Sequence, residues 1–358
     1  MDTTGKGNGS GARDKRERRN KKRINLALQG GGAHGAFAWG VIDRLLEEEE
    51  LEIDGIVGTS GRRELNAAAT AYGIAIGGSA GAREVLRTFW KKTSDAAKYS
   101  PIQALPWEKM MNPKGGNLEN SPGYIITDFL SRMFSPYQLN PTNQNPLRKV
   151  LESVIDFEAI HKAAKVKLFI CASNVMTGRI KVFDKEHVTV DAVLASACLP
   201  FMFQAVEING DHYWDGGYMG NPPLYPLFYN TDTRDIMIIQ LNPINIPELP
   251  TTAPQILDRI NTLSFNSSLM REMRAIHFVT KLIDGGFTDG GKLNRIFIHT
   301  VDGEDLLGHL GVSSKLNADW DFLMHLFENG RENCERFLSE HWGKIGVESS
   351  TNIEEKFF

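Results

Sequence analysis

Residues 30–35, Gly-Gly-Gly-Ala-His-Gly, place four glycines within six positions of a 358-residue chain. Glycine adopts backbone angles that other residues resist, and a turn that opens a helix leaves its first N–H groups without intrahelical acceptors. Such a stretch binds anions. Two anions fit it. The spacing Gly30-x-Gly32-x-x-Gly35 matches a dinucleotide-binding turn, and an acid, Asp54, follows about 20 residues on. That acid opens the next strand, whereas a ribose-binding carboxylate belongs at the strand's end. The other client is an oxyanion formed transiently on a substrate carbonyl, held by the same N–H groups. A tight turn without a ligand is the plain structural alternative.

Two further stretches favour the oxyanion. Gly58-Thr59-Ser60-Gly61 closes an apolar run and precedes a helical pattern, as in a nucleophile elbow, where the serine hydroxyl is exposed beside a helix N-terminus. A serine in that position also serves simply as a helix cap. Tyr213-Trp214-Asp215-Gly216-Gly217 puts an acid on a sharply turning loop, where its carboxylate reaches into a cleft and takes a hydroxyl proton. The plain alternative is an Asx turn. His34 lies inside the glycine turn, where it orients the turn or a headgroup, and the other eight histidines carry no motif.

The surrounding pattern supplies the elements that position these residues. Residues 24–28 read as a buried strand entering the glycine turn, 36–50 as a helix with apolar residues three and four apart, 53–57 as a second strand, and 64–72 as a second helix. Strand, turn and helix in repetition predict an α/β fold with a mostly parallel sheet. Residues 98–146, rich in Pro, Asn and Gly, predict an irregular excursion over the sheet, with a helical piece at 124–133, contributing to a pocket or lid. The strand pattern resumes at 166–172, 235–241 and 295–299, with helices at 190–197, 254–284 and 319–338. Asn209-Gly210 predicts a type I′ hairpin turn just ahead of Asp215, and the last dozen residues read as frayed.

Composition narrows the partners. A net charge of -4 argues against a general nucleic-acid binder, and the three cysteines show neither disulfide nor zinc spacing, so no metal and no cofactor are expected. The first 23 residues carry nine Lys or Arg against three acids, a net +6, and read as a disordered tail able to meet anionic lipid. Without a secretory signal or a run of about 18 apolar residues, the expectation is a cytoplasmic protein, peripheral to a membrane at most. Oligomeric state is not legible.

Taken in order, the glycine turn, Gly-x-Ser and Asp-Gly-Gly resemble the bacterial patatin-like phospholipases. Flanking text agrees: Ala27-Leu28-Gln29, Gly40-Val41-Ile42-Asp43, residues 195–200 (Ala-Ser-Ala-Cys-Leu-Pro) and residues 217–222 (Gly-Tyr-Met-Gly-Asn-Pro). The resemblance implies a three-layer α/β/α fold over residues 24–340, with tails at 1–23 and 341–358. It also implies a Ser60/Asp215 dyad without a catalytic histidine, an oxyanion hole at Gly30, Gly31, Gly32 and Ala33, and a lipid or phospholipid ester as substrate. His34, Gly35, Gly58, Thr59, Gly61, Gly216 and Gly217 take the supporting motif positions.

One stretch departs from the family pattern Gly-x-Ser-x-Gly. Here residues 58–68 read Gly-Thr-Ser-Gly-Arg-Arg-Glu-Leu-Asn-Ala-Ala, one residue longer before Asn-Ala-Ala and with two arginines where small side chains belong. An extra residue ahead of a helix would rotate it by about 100°. Four readings stay open: Gly61 substitutes for the displaced glycine, Arg62 and Arg63 add an anion site, the dyad persists in a lipid- or anion-binding protein without turnover, or the stretch is an altered sequence.

Overall fold

The apolar run expected at 24–28 becomes the inner strand β1 (Lys22–Leu28), with every residue from Ile24 onward buried. The computed structural model describes residues 21–60, 63–98, 100, 102, 103, 116–119, 121–162, 165–246, 248–288, 290 and 293–358. From β1 the chain enters a 3-10 turn (Gly32–His34) and helix α1 (Gly35–Leu45), then β2 (Leu51–Gly58) and helix α2 (Arg63–Ala97). After α3 (Pro122–Met133) come β3 (Lys167–Asn174), β4 (Ile180–Asp184), α4 (Val190–Ser196), β5 (Val206–Ile208), β6 (Asp211–Asp215), β7 (Asp235–Gln240), α5 (Ala253–Asp284), β8 (Phe297–Asp302) and α6 (Trp320–His341).

The sheet runs β5-β6-β3-β2-β1-β7-β8, with β4 also on β3. Pairings from β3 to β8 through β2, β1 and β7 are parallel, and those of β4, β5 and β6 antiparallel. Alternation along the strands divides the core into two layers. Leu26, Leu28, Ile56, Leu168, Ile170 and Ile239 pack with α1, α2 and α6 on one face. Ala27, Val57, Phe169, Cys171, Ile236 and Ile238 pack with Leu269, Met273 and Ile276 of α5 on the other. This is the expected α/β/α arrangement with a mostly parallel sheet, because strands buried on both faces need helices above and below.

Several boundaries differ from expectation. Helix α1 stops at Leu45 rather than reaching residue 50, since an acidic run opposes the negative end of a helix dipole. Glu47 and Glu48 instead pair with Arg83, Arg331 and Arg44. The helix expected at 64–72 is the opening of α2, which continues to Ala97 through a kink at Gly78, where φ is +64°. In the 98–146 excursion, α3 covers the expected helical piece, while residues 99, 101, 104–115 and 120 lie outside the described residues. The basic tail lies outside them too, up to residue 20. Near the C-terminus, Ile353–Phe357 forms a short helix capped by Asn352, with Phe357 buried, so the chain end is packed rather than frayed.

Gly40 on α1 and Gly330 on α6 let these two helices cross at backbone contact. A Cβ on Gly40 would stand 1.9 Å from the Phe327 carbonyl oxygen, and one on Gly330 would stand 2.1 Å from that of Phe37. Glycine is required there by backbone contact, not by a turn.

Candidate active site

The strand register brings two distant residues together. β2 and β6 flank β3 on opposite edges, with Gly58 of β2 opposite Ile170 and Asp215 of β6 opposite Ala172, two residues further along β3. The serine two residues past Gly58 therefore leaves the strand where Asp215 arrives. The Ser60 hydroxyl donates to Asp215 Oδ2 at 2.7 Å, and both residues are buried. Ser60 has φ +68°, a left-handed conformation that costs a non-glycine residue on the order of 1–3 kcal/mol and marks a sharp strand-to-helix turn.

Each glycine of Asp-Gly-Gly has a reason. A Cβ on Gly216 would stand 2.0 Å from the Cys171 carbonyl oxygen, and one on Gly217 would stand 3.0 Å from both Asp215 Oδ1 and Ser60 Cβ. Without that bulk, the Gly217 N–H donates to Asp215 Oδ1 at 2.7 Å, leaving Oδ2 aimed at the serine. Residues 195–200 hold the acid from behind, because the Asp215 N–H donates to the Cys198 carbonyl at 2.9 Å. Burial pushes the Cys198 thiol up to about 12, with help from the Asp215 charge, so that sulfur stays protonated and is no nucleophile.

The glycine turn stands over Ser60. A Cβ on Gly30 would meet Ser60 Cβ at 2.4 Å and Ser60 Oγ at 2.8 Å. Gly32 has φ +60° and lies against the Lys315 backbone carbonyl, 2.3 Å from where a Cβ would be. The N–H groups of Gly31, Gly32 and Ala33 open the 3-10 turn and so have no intrahelical acceptor. Gly30 differs from the expectation that it donates to an oxyanion: its N–H is already given to Asn221 Oδ1, and it serves by close approach.

Gln29 clamps the turn from below. Its Oε1 accepts from the Leu241 and Asn242 N–H groups at 2.9 and 2.8 Å, and its Nε2 donates to Asn266 Oδ1 at 2.7 Å. Asn242 closes the network by donating to the Gly30 carbonyl at 2.8 Å.

Gly31, Gly32, Ser60 and Asp215 line a cavity of about 510 Å³ whose walls come largely from α3, α5 and the segment after α4. Its apolar lining includes Leu199, Phe201, Met202, Phe265 and Leu316, with Tyr218 beside the acid. Burial first and the Asp215 charge second raise the Tyr218 phenol to about 12, which keeps it neutral. The cavity thus offers an oily wall with a polar floor, the pattern of a small-molecule site.

The family model for patatin-like phospholipases matches residues 26–228, more than half of the chain. The chain belongs to the patatin-like phospholipase family. No curated protein matches its sequence. Among solved structures, VipD from Legionella pneumophila is similar at 14% identity and a TM-score of 0.43, covering 90% of this chain and 67% of that one. The ExoU–SpcU complex from Pseudomonas aeruginosa contains a chain similar at 14% identity and a TM-score of 0.32, and here 90% of this chain spans 53% of the other.

Within this patatin-like domain, the departing stretch is described only in part. Gly61 and Arg62 and the Arg63 side chain lie outside the described residues. Beyond them Glu64 is buried and accepts from the Ser196 hydroxyl at 2.6 Å, which ties the start of α2 to α4. Asn66 donates to the Gly35 carbonyl at 2.8 Å and accepts from Trp90 at 2.9 Å, locking α2 to the end of the glycine turn. Asp54 sits far from the glycines. It is buried at the other end of β2, accepting from Arg23 at 2.9 Å and from the Asp232 N–H at 2.6 Å. That structural role removes the acid the dinucleotide reading requires.

His34 also has a structural partner, with Nε2 2.7 Å from Ser314 Oγ, and it does not line the cavity. The bond pins the glycine turn to a 3-10 segment (Val312–Leu316) and so brings Lys315 to the cavity wall. Its Nζ lies 3.4 Å from Asn242 Oδ1 and 3.7 Å from Asp258 Oδ1. No local motif marks Lys315 in the sequence. Asn221 was legible only as flanking family text.

The loop carrying Asn221 is fastened to α5 by Ser268, which accepts from the Asn221 N–H at 3.1 Å, and by Glu272, which accepts from Leu224 at 2.7 Å. Burial pushes the Glu272 carboxyl up from 4.5 to about 7, despite backbone N–H groups of Leu224 and Tyr225 that pull it down. Unfolded, the group ionises near 4.5, so its contribution to folding worsens as pH rises from there to about 7 and is level above. Glu272→Gln removes that slope. Relative to the parent, the variant is expected to gain stability across this window by an amount on the order of 3 kcal/mol, read from urea melts at a series of pH values. A parallel pair of pH profiles would count against a raised carboxyl.

Proposed function

We propose that the protein hydrolyses acyl esters of lipids through an acyl-enzyme on Ser60. The observation that carries this reading is the 2.7 Å hydrogen bond from Ser60 Oγ to Asp215 Oδ2 at the floor of a largely apolar cavity. As Oγ attacks the ester carbonyl, Asp215 takes the hydroxyl proton, and the N–H groups of Gly31, Gly32 and Ala33 hold the developing oxyanion. Collapse of the tetrahedral intermediate expels the alcohol, which leaves with the proton from Asp215. Water then attacks the acyl-serine as Asp215 takes its proton, and Asp215 returns that proton to Ser60 Oγ as the acyl–Oγ bond breaks and the fatty acid departs. Every step uses side chains and backbone of the chain itself, so the reading includes no metal or cofactor. On this reading residues 24–340 form a single patatin-like domain, with residues 341–358 as a C-terminal segment packed against it.

A second reading, a lipid- or anion-binding protein without turnover, is favoured by the altered stretch at residues 61–65. One experiment separates the two. A fluorophosphonate probe is expected to label the wild-type protein and not Ser60→Ala, with ester hydrolysis lost in parallel. Absence of labelling and of hydrolysis with both soluble esters and lipid dispersions would select the second reading.

A further inference from the structure

The two helices that wall the cavity are inverted. On α3, Tyr124, Thr127, Asp128 and Ser131 line the cavity, a spacing of three and four that defines one helix face. The opposite face carries Ile125, Ile126, Phe129 and Met133, between 53% and 63% exposed, and no residue of this helix is buried. Early in α5 the pattern repeats: Asp258, Asn261 and Phe265 line the cavity while Ile256, Ile260 and Leu263 stand 45–56% exposed. A helix on a protein in water ordinarily turns its apolar face inward. Phe201 and Leu257 belong to both surfaces, lining the cavity while remaining 70% and 42% exposed, so the outer apolar face is continuous with the cavity mouth.

Charge identifies the occupant. Between residues 122 and 145 the charged side chains are Asp128 and Arg132, which pair with each other at 2.8 and 3.1 Å. On α5, Asp258 approaches Lys315, and Arg259 donates to the Ile244 carbonyl. With Asp128 paired to Arg132 and Asp258 beside Lys315, the face keeps little charge besides the Arg259 guanidinium and offers little to steer a charged protein surface. An occupant sealing the mouth, whether a partner protein or a second copy, would also bar the ester from Ser60. A lipid surface covers the face and supplies the ester at once.

We infer that the outer faces of α3 and of the first half of α5 seat the protein on the apolar boundary of a lipid surface, with the cavity mouth opening into it. The inference rests on the lipid-ester reading above. It extends that reading by assigning where the lipid phase touches the chain. Attachment through apolar transfer scales with buried apolar area and depends little on headgroup charge or salt, unlike attachment through the basic residues of the first 23 positions.

The test uses the full chain carrying Ser60→Ala, so that binding is read without hydrolysis, and phosphatidylcholine vesicles in a flotation assay. Binding is expected at low and high salt alike. Adding Ile126→Glu and Phe129→Glu is expected to weaken it at least tenfold, whereas Phe278→Glu, equally exposed on the far half of α5, leaves it unchanged. Undiminished binding by the double variant would overturn the inference, as would binding that requires anionic lipid or vanishes at high salt. So would conversion of a dimer to a monomer by the same substitutions, which marks a face between copies, or a melting temperature lowered by several degrees, which marks a face covered by the chain itself. Because no turnover is measured, failure here is distinct from failure of Ser60 to label.

Discussion

Asp215→Asn is expected to slow ester turnover by about 10²- to 10⁴-fold while leaving the protein folded. The amide is isosteric, and its oxygen continues to accept from the Gly217 N–H that now holds Oδ1 at 2.7 Å. The atom facing Ser60 then becomes an NH2 group. It donates to Oγ instead of accepting from it, so the serine keeps its proton as it meets the carbonyl. Loss of a carboxylate that is fully buried removes a desolvation cost, and the melting temperature is expected to hold or rise. Turnover of a short-chain soluble ester and a thermal melt on the same preparation check both halves. Activity within threefold of wild type would mean that Asp215 is not the base.

The second large effect is steric. Gly30→Ala places a methyl carbon 2.4 Å from Ser60 Cβ and 2.8 Å from both Ser60 Oγ and Asn221 Oδ1, closer than real Cβ atoms approach anything. Neither neighbour has room to yield. Ser60 is fixed in a left-handed turn between β2 and α2, and Asn221 is held by its bond to the Gly30 N–H and by Ser268. The serine must therefore move relative to the N–H groups proposed to hold the oxyanion. A displacement of about 1 Å costs on the order of 100-fold in rate, and overpacking costs about 1–3 kcal/mol in stability. Gly343→Ala, where nothing lies within 4 Å of the added carbon, is the matched control and is expected to change neither property. Equal activity of the two variants would show that the glycine turn does not crowd Ser60.

What the sequence made legible follows from how locally each feature is encoded. Asp215 precedes two glycines that its turn requires, and Ser60 follows a strand end in a Gly-x-Ser pattern, so a short motif announces each. Strands β1 and β7, buried on both faces, are legible for the same reason: the apolar run of β7 is continuous from Ile236 to Ile239, and that of β1 is interrupted only at Asn25. The length of α2 was not, because Gly77 and Gly78 interrupt its pattern and the helix continues through the kink. Lys315 and the His34–Ser314 bond are invisible to motif reading, since that contact joins residues 280 positions apart. On α3 the apolar periodicity reads correctly as a helix. Its direction does not, because period alone cannot distinguish an apolar face turned to a core from one turned outward.

The crossing of α1 and α6 at Gly40 and Gly330 bears on what constitutes the smallest working unit. The family match ends at residue 228, yet several supports of the glycine turn come from Asn242, Asn266, Ser314 and the backbone of α6, all beyond that point. The matched segment holds Ser60, Asp215 and the turn's bonds to Asn66 and Asn221, but not the rest of the clamps that hold the glycine turn. Grafting this site onto another scaffold would mean transplanting the late helices together with the motifs, since the motif residues lie within the matched segment and part of what aligns them lies beyond it.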